Sequence, residues 1–249
     1  MEYNARLEAP SQTNKNYIHY TKGGYNYCIQ INKKTGSCLP NCVGFAWGRW
    51  RELLGEKPKL CKDNAEKWYG YNDGYKRGQT PKIGAVICWR KGTTLSGKDG
   101  AGHVAIVEEN LPNGVIVTSN SAYNGTRFYT KKLKPPYSIG KDYHFQGFIY
   151  NPKEYDEQWT TGDYILTNSK YIRTSPKVTA NNYVLVKECM ASVKPKLTSS
   201  KPNDKAKFKV GAKVKITKFE YDSKGYLWGK MVNSWICLYD KTPQAKRVG

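Results

Sequence analysis

An α+β fold followed by a small all-β module is the architecture the sequence predicts. Three observations carry it. A capped stretch of helical apolar spacing lies at 41–55, strand-like runs fill 84–151, and short β-rich runs divided by turn signals follow 162. Taken in order, residues 1–41 are rich in Asn, Lys, Tyr and Gly and read as loop. Asn41 is a helix cap, and apolar residues follow at Cys42, Phe45, Ala46, Trp50, Leu53 and Leu54 before Gly55 stops the helix. A second short helix is expected over Asp63–Tyr71, with the Gly-rich stretch after it as loop.

From Pro81 the period shifts to that of strands. The runs 84–90, 103–109, 115–121, 126–132 and 145–151 are expected to pair mostly antiparallel, with a turn at Leu111-Pro112-Asn113-Gly114. Residues 151–162 are polar and read as a linker between a 1–150 domain and a 163–249 domain. In the latter, 164–174, 183–193, 212–221, 226–232 and 234–240 read as strands of a small barrel, and Lys-dense 194–209 as a long mobile loop.

Charge narrows the partners. Lys plus Arg number 41 against 20 Asp plus Glu, a net +21. The excess is spread evenly: residues 1–150 hold 22 basic and 11 acidic side chains, and 151–249 hold 19 and 9. Both halves suit an anionic partner such as nucleic acid, anionic lipid or the anionic polymers of a bacterial wall. The 33 aromatic residues argue against global disorder. No apolar run approaches the roughly 18 residues of a membrane span. Met1–Tyr20 lack the parts of a secretory signal peptide, so none is expected. Seven cysteines without a CxxC pair, and only three histidines, predict reduced thiols and no metal or other cofactor.

Chemistry concentrates in three places: Cys42 at a helix start, His103 at a strand start, and Ser119-Asn120-Ser121 at the end of the next strand. A thiol becomes a useful nucleophile when an imidazole takes its proton, and a helix N-terminus adds positive potential. The imidazole needs a polar group on its other nitrogen to fix tautomer and orientation. A strand–turn–strand unit brings His103 beside residues 119–121. The order Cys, His, polar residue is that of a cysteine hydrolase.

The words "NCVGFAWGRW" (41–50), "PKIGAVICW" (81–89), "GHVAIVEE" (102–109) and "VIVTSNSAYNGTRFYTK" (115–131) closely resemble the CHAP family of cysteine, histidine-dependent amidohydrolases and peptidases that cut bacterial peptidoglycan. The resemblance spans about residues 20–150. It implies a papain-like α+β fold with helices packed on an antiparallel sheet, Cys42 as nucleophile and His103 as general base and acid. Asn120 best fits the third position, with Ser119 and Ser121 as alternatives. Asn41 would cap the helix or line the oxyanion site. Trp47, Trp50 and Trp89 are expected in the core or cleft wall, and His19 and His144 in structural roles. Some members bind calcium in an acidic loop before the nucleophile, but residues 25–41 hold no Asp or Glu, so no calcium site is expected there.

The C-terminal half resembles a bacterial SH3-like cell-wall-binding domain in "YIRTSP" (171–176), "KVGAKVKI" (209–216), "YLWGKMV" (226–232) and "SWICLYD" (234–240). Together the resemblances imply a peptidoglycan hydrolase of the bacteriophage endolysin type, an endopeptidase or N-acetylmuramoyl-L-alanine amidase. It would be held in the host cytoplasm until the membrane is breached, then act on peptidoglycan and its anionic polymers. A toxin or a host-made wall enzyme exported by a non-classical system is a further reading. A non-catalytic nucleic-acid-binding protein is the competing class, and nucleic acid is not the expected partner because charge leaves the Cys–His blocks unexplained.

Overall fold

The computed structural model describes residues 1, 3–11, 14–17, 31–32, 37–38, 40–92, 101–155, 159–184, 196–199 and 201–248. The chain divides into two compact units, Met1–Glu157 and Gln158–Gly249.

The first unit starts with a two-stranded pair, β1 (Ile31–Asn32) and β2 (Ser37–Cys38). Helix α1 (Cys42–Leu54) follows, with the ends its sequence predicts. The Asn41 side chain accepts the Gly44 N–H at 3.0 Å, and Gly55 takes the left-handed conformation (φ 80°) while its N–H returns to the Arg51 carbonyl. The expected second helix is a single turn, α2 (Ala65–Trp68). Among the described residues one long helix, not several, therefore packs on the sheet.

That sheet has six antiparallel strands: β3 (Arg77–Gly78), β4 (Val86–Lys91), β5 (His103–Asn110), β6 (Ile116–Ser121), β7 (Phe128–Leu133) and β8 (Tyr143–Ile149), in the order β3-β8-β4-β5-β6-β7. The stretch read as Gly-rich loop supplies the edge strand β3. Its Arg77 is held by Asp73 and by the carbonyls of Trp68 and Tyr69. Side chains alternate along each strand. Val86, Cys88, Val104 and Ile106 pack with Phe45, Ala46, Trp50 and Trp68 on the helix side. Ile87, Trp89, Ala105 and Val107 pack with Leu133, Tyr137 and Phe148 on the other. The helix approaches its neighbours closely at Gly48, where a Cβ would meet the Tyr17 ring at 2.7 Å.

The second unit holds β9 (Gly162–Leu166), β10 (Lys170–Tyr171), β11 (Lys207–Phe208), β12 (Lys213–Ile216), β13 (Lys218–Tyr221), β14 (Leu227–Lys230), β15 (Trp235–Tyr239) and β16 (Ala245–Arg247). They form small antiparallel sheets β12-β9-β16, β13-β14-β15 and β10-β11. No closed barrel is present among the described residues. Two sequence expectations shift. Trp159, inside the segment read as linker, is buried and stacks on Tyr164. Part of the segment read as a mobile loop is ordered: β11 pairs with β10, and Leu197 bridges to Phe208. Most of the 183–193 run lies outside the described residues. No helix among the described residues is long and apolar enough to cross a membrane.

Candidate active site

Cys42 is the first residue of α1 and half-buried. It packs against the helix-side core, and the amide of Val104, one residue after His103, is among the groups that act on its thiol. Burial pushes its thiol up. The amides of Val104, Val43 and Cys42 itself oppose this without cancelling it.

His103 opens β5, and the backbone just before it is tightly constrained. Gly102 has φ +67°, and a Cβ there would lie 2.6 Å from both the Glu66 amide nitrogen and the Trp89 carbonyl oxygen. Both are backbone atoms that cannot step aside, so only glycine launches the strand in this way. Trp89 is the cross-strand partner of His103, and its indole lies against the imidazole with ring centroids 5.8 Å apart. Burial holds the imidazole below its ordinary value. The Asn120 hydrogen bond works the other way, and the Lys131 charge adds to the lowering.

Asn120 is buried, and its Oδ1 lies 3.1 Å from His103 Nε2. The direction of this bond follows from the groups behind it. Asn120 Nδ2 donates to the Thr118 carbonyl at 3.1 Å and to Thr118 Oγ1 at 2.9 Å. Thr118 Oγ1 in turn donates to the Lys131 carbonyl at 3.1 Å. A carbonyl only accepts, so the amide NH₂ points at Thr118 and Oδ1 faces the histidine. Nε2 therefore carries the proton and Nδ1 keeps its lone pair.

Ser119 and Ser121, the alternatives for this position, are turned to the helix side of β6. Ser119 Oγ donates to Glu108 at 2.6 Å, and Ser121 Oγ donates to the Pro40 carbonyl. Pro40 lies two residues before Cys42, so Ser121 ties the approach to α1 down to the sheet. Sequence reading did not single out this tether. Nor did it single out Arg49 and Glu108, which make the buried ion pair behind Ser119. A charged residue inside an apolar strand or helix face was the available signal.

Asn41 caps α1, Trp50 and Trp89 are buried in the two cores, and His144 Nε2 lies 3.0 Å from the Gly92 carbonyl. His19 and the cysteines Cys28 and Cys189 lie outside the described residues. Among the described residues no three His, Cys, Asp or Glu side chains cluster so as to hold a metal ion. A cavity of about 560 Å³ opens against Met1, residues 4–8 and α1. Of its walls, Arg6 and Arg49 are both paired with Glu52, and Cys42, His103 and Asn120 do not line it.

The CHAP domain family model matches residues 32–122, a span that contains Cys42, His103 and Asn120. The match spans less than half of the chain. No curated protein sequence matches the chain. Among solved structures, an N-acetylmuramoyl-L-alanine amidase from Staphylococcus aureus is similar at 20% identity and TM-score 0.34, over 45% of this chain and 30% of that one. The chain thus corresponds to under a third of that amidase's length. Ly7917 is similar at 16% identity and TM-score 0.32 in two structures. One holds the hydrolyzing product of MDP and covers 84% of this chain and 90% of that one; the other covers 82% and 87%. With TM-scores below 0.5, these overlaps imply neither a shared activity nor a shared arrangement of the two units.

Proposed function

We propose that the chain hydrolyses an amide or peptide bond of bacterial peptidoglycan, with Cys42 as nucleophile, His103 as general base and acid, and Asn120 as the group that orients the histidine. The observation that supports this reading is the directed hydrogen-bond chain from the Lys131 carbonyl through Thr118 and Asn120 to His103, which leaves the Nδ1 lone pair for a base, while the amide of Val104, next to His103, acts on the Cys42 thiol. Nδ1 takes the thiol proton as Sγ attacks the carbonyl carbon. Amides at the start of α1 receive the developing oxyanion. The imidazolium then gives its proton to the leaving amine nitrogen, which departs and leaves a thioester. Water attacks the thioester while Nδ1 accepts one of its protons; the acid is released and the thiol is restored.

Burial raises the thiol and lowers the imidazole, so the two rest as a neutral pair and the proton moves during the attack. In this reading 1–150 is the papain-like catalytic domain, 151–162 a linker, and 163–249 an SH3-like module that holds the enzyme on the wall and its anionic polymers. The net +21 charge supports the last point. The protein acts as an endolysin of bacteriophage type, kept in the host cytoplasm until the membrane opens, with endopeptidase or amidase activity. Incubation with defined peptidoglycan followed by mass spectrometry of the soluble fragments tests this. New amino termini within the stem or cross-bridge identify an endopeptidase, and free lactyl carboxylates with whole stems that begin at alanine identify an amidase. Fragments identical to those from Cys42→Ala would overturn the hydrolase reading.

A further inference from the structure

Strand β7 runs beside the candidate catalytic residues, and its register puts specific side chains on their face of the sheet. Tyr129 is the cross-strand partner of Asn120, and Lys131 that of Thr118. Both therefore share the face that carries Asn120 and His103. The Arg127 guanidinium lies over the Tyr129 ring, 4.9 Å from its centroid. A guanidinium seated on an aromatic ring keeps its N–H edge free for a planar anion, and the ring limits the entropy lost on binding. Arg127 is exposed and Lys131 half-buried.

Neither cation makes an ion pair among the described residues, whereas Arg6, Arg49, Arg77, Lys67, Lys170 and Lys218 all do. The acids of the neighbouring strand β5, Glu108 and Glu109, lie at its far end from His103. The Tyr129 hydroxyl feels both Arg127 and Cys42, and the imidazole of His103 feels the Lys131 charge.

We propose that Arg127, seated on Tyr129 just before β7, and Lys131 within β7 form a subsite for a free carboxylate next to the scissile bond, so that the enzyme prefers acidic stem peptides to their amidated forms. The inference rests on the hydrolase reading for its substrate but not for its measurement. A charge-assisted contact to a carboxylate that an amide cannot replace is worth roughly a factor of ten or more in affinity.

The test uses two soluble compounds: N-acetylmuramyl-L-alanyl-γ-D-glutamyl-L-lysine amide with the glutamyl α-carboxyl either free or converted to carboxamide. Calorimetric titration into full-length Cys42→Ala reads the subsite without turnover. The free acid should bind at least about tenfold tighter, with a preference that shrinks as salt rises. Adding Arg127→Gln and Lys131→Gln to the same chain should bring the ratio close to one. Equal binding of the two compounds, or a preference that survives both substitutions, would overturn the subsite. A retained preference with no turnover by the wild-type chain would overturn the hydrolase reading and leave the subsite standing.

Discussion

Strands β5 and β6 carry a polar cluster on each face, and the two clusters meet burial in opposite ways. On the helix side, Glu108 accepts from Arg49, Ser119, the Tyr3 hydroxyl and the Arg6 amide. Arg49 also holds Glu52, which further accepts from Arg6, Tyr17 and Asn14. Burial acts against charge here, but opposite charges outweigh it: Arg49 is raised, and Glu52 is held down to about 2. The Tyr3 and Tyr17 hydroxyls are raised by burial and then by the carboxylates beside them, so they stay donors. On the other face His103 has a neutral amide for a partner that does not cancel desolvation, and Cys42, packed on the helix-side core, has only backbone amides, so both are pushed toward their neutral forms. Ser119 and Asn120 are adjacent in sequence, yet one closes an ion network and the other opens a proton path. Fully satisfied charge makes a fixed frame, whereas a half-satisfied neutral pair keeps a lone pair for chemistry.

The largest test removes the nucleophile. Cys42→Ala and Cys42→Ser should each lower wall clearance by at least about 10³-fold while leaving thermal unfolding unchanged. Clearance near the wild-type rate by either variant would place the nucleophile elsewhere.

Breaking the frame should do the reverse, costing stability first. Glu108→Ala removes the fully buried partner of Arg49, leaving it only Glu52, and should destabilise the first unit by about 3–5 kcal/mol in urea unfolding. A loss under about 1 kcal/mol would show that the network is not a frame.

The sharpest contrast uses the adjacent residues. Asn120→Ala frees the imidazole to turn and should cut kcat by about 10²-fold. Ser119→Ala should leave kcat alone and cost about 1–3 kcal/mol of stability through Glu108. Equal effects on rate would erase the distinction between the faces.

Acid should separate the clusters by window. The folded state favours neutral His103, so its stabilising contribution is full above the ordinary value of 6.5 and is lost as pH falls through it. The acid limb of kcat/KM should therefore lie below 6.5, and Lys131→Gln should move it upward, since the Lys131 charge contributes to the lowering. Glu52 contributes above its ordinary value of 4.5, and about 3 kcal/mol is lost as pH drops toward its folded value of about 2. An unfolding transition that weakens only near neutral pH would contradict the ion network.

The smallest expected effect is that of a chelator. Glu108 already accepts from five donor groups on four residues and has little left to offer a cation. Millimolar chelator with thiol reductant present should leave the lytic rate within about a factor of two. Loss of lysis restored by calcium would show a metal site among residues this contrast does not include, with Asp99 the first to examine.

Much of the first unit was legible because short-range rules govern it. Asn41 and Gly55 bound α1 by local hydrogen bonds and a left-handed turn, and the apolar runs of β4, β5 and β6 announce strands buried on both faces. The second unit was less legible. Its strands are two to five residues long, so periodicity has little length in which to act, and β10 pairs across a long chain separation with β11. The edge strand β3 was hidden in a Gly-rich stretch because its pairing depends on β8, far along the chain.

What the sequence by itself determined is which chemistry is present and where it starts: a thiol at a helix N-terminus, a histidine released by Gly102 at a strand start, and three polar residues on the next strand. Local backbone preference and side-chain alternation suffice for that. Which of Ser119, Asn120 and Ser121 meets His103 was decided only by tertiary structure. It depends on the register between β5 and β6 and on which face α1 covers, and a shift of one residue would exchange the two sets. The partnership of Arg49 with Glu108, 59 positions apart, and the placing of Tyr129 and Lys131 on the same face as Asn120 have the same origin. Contacts between distant segments are set by how the sheet is assembled, and no single segment of sequence contains that information.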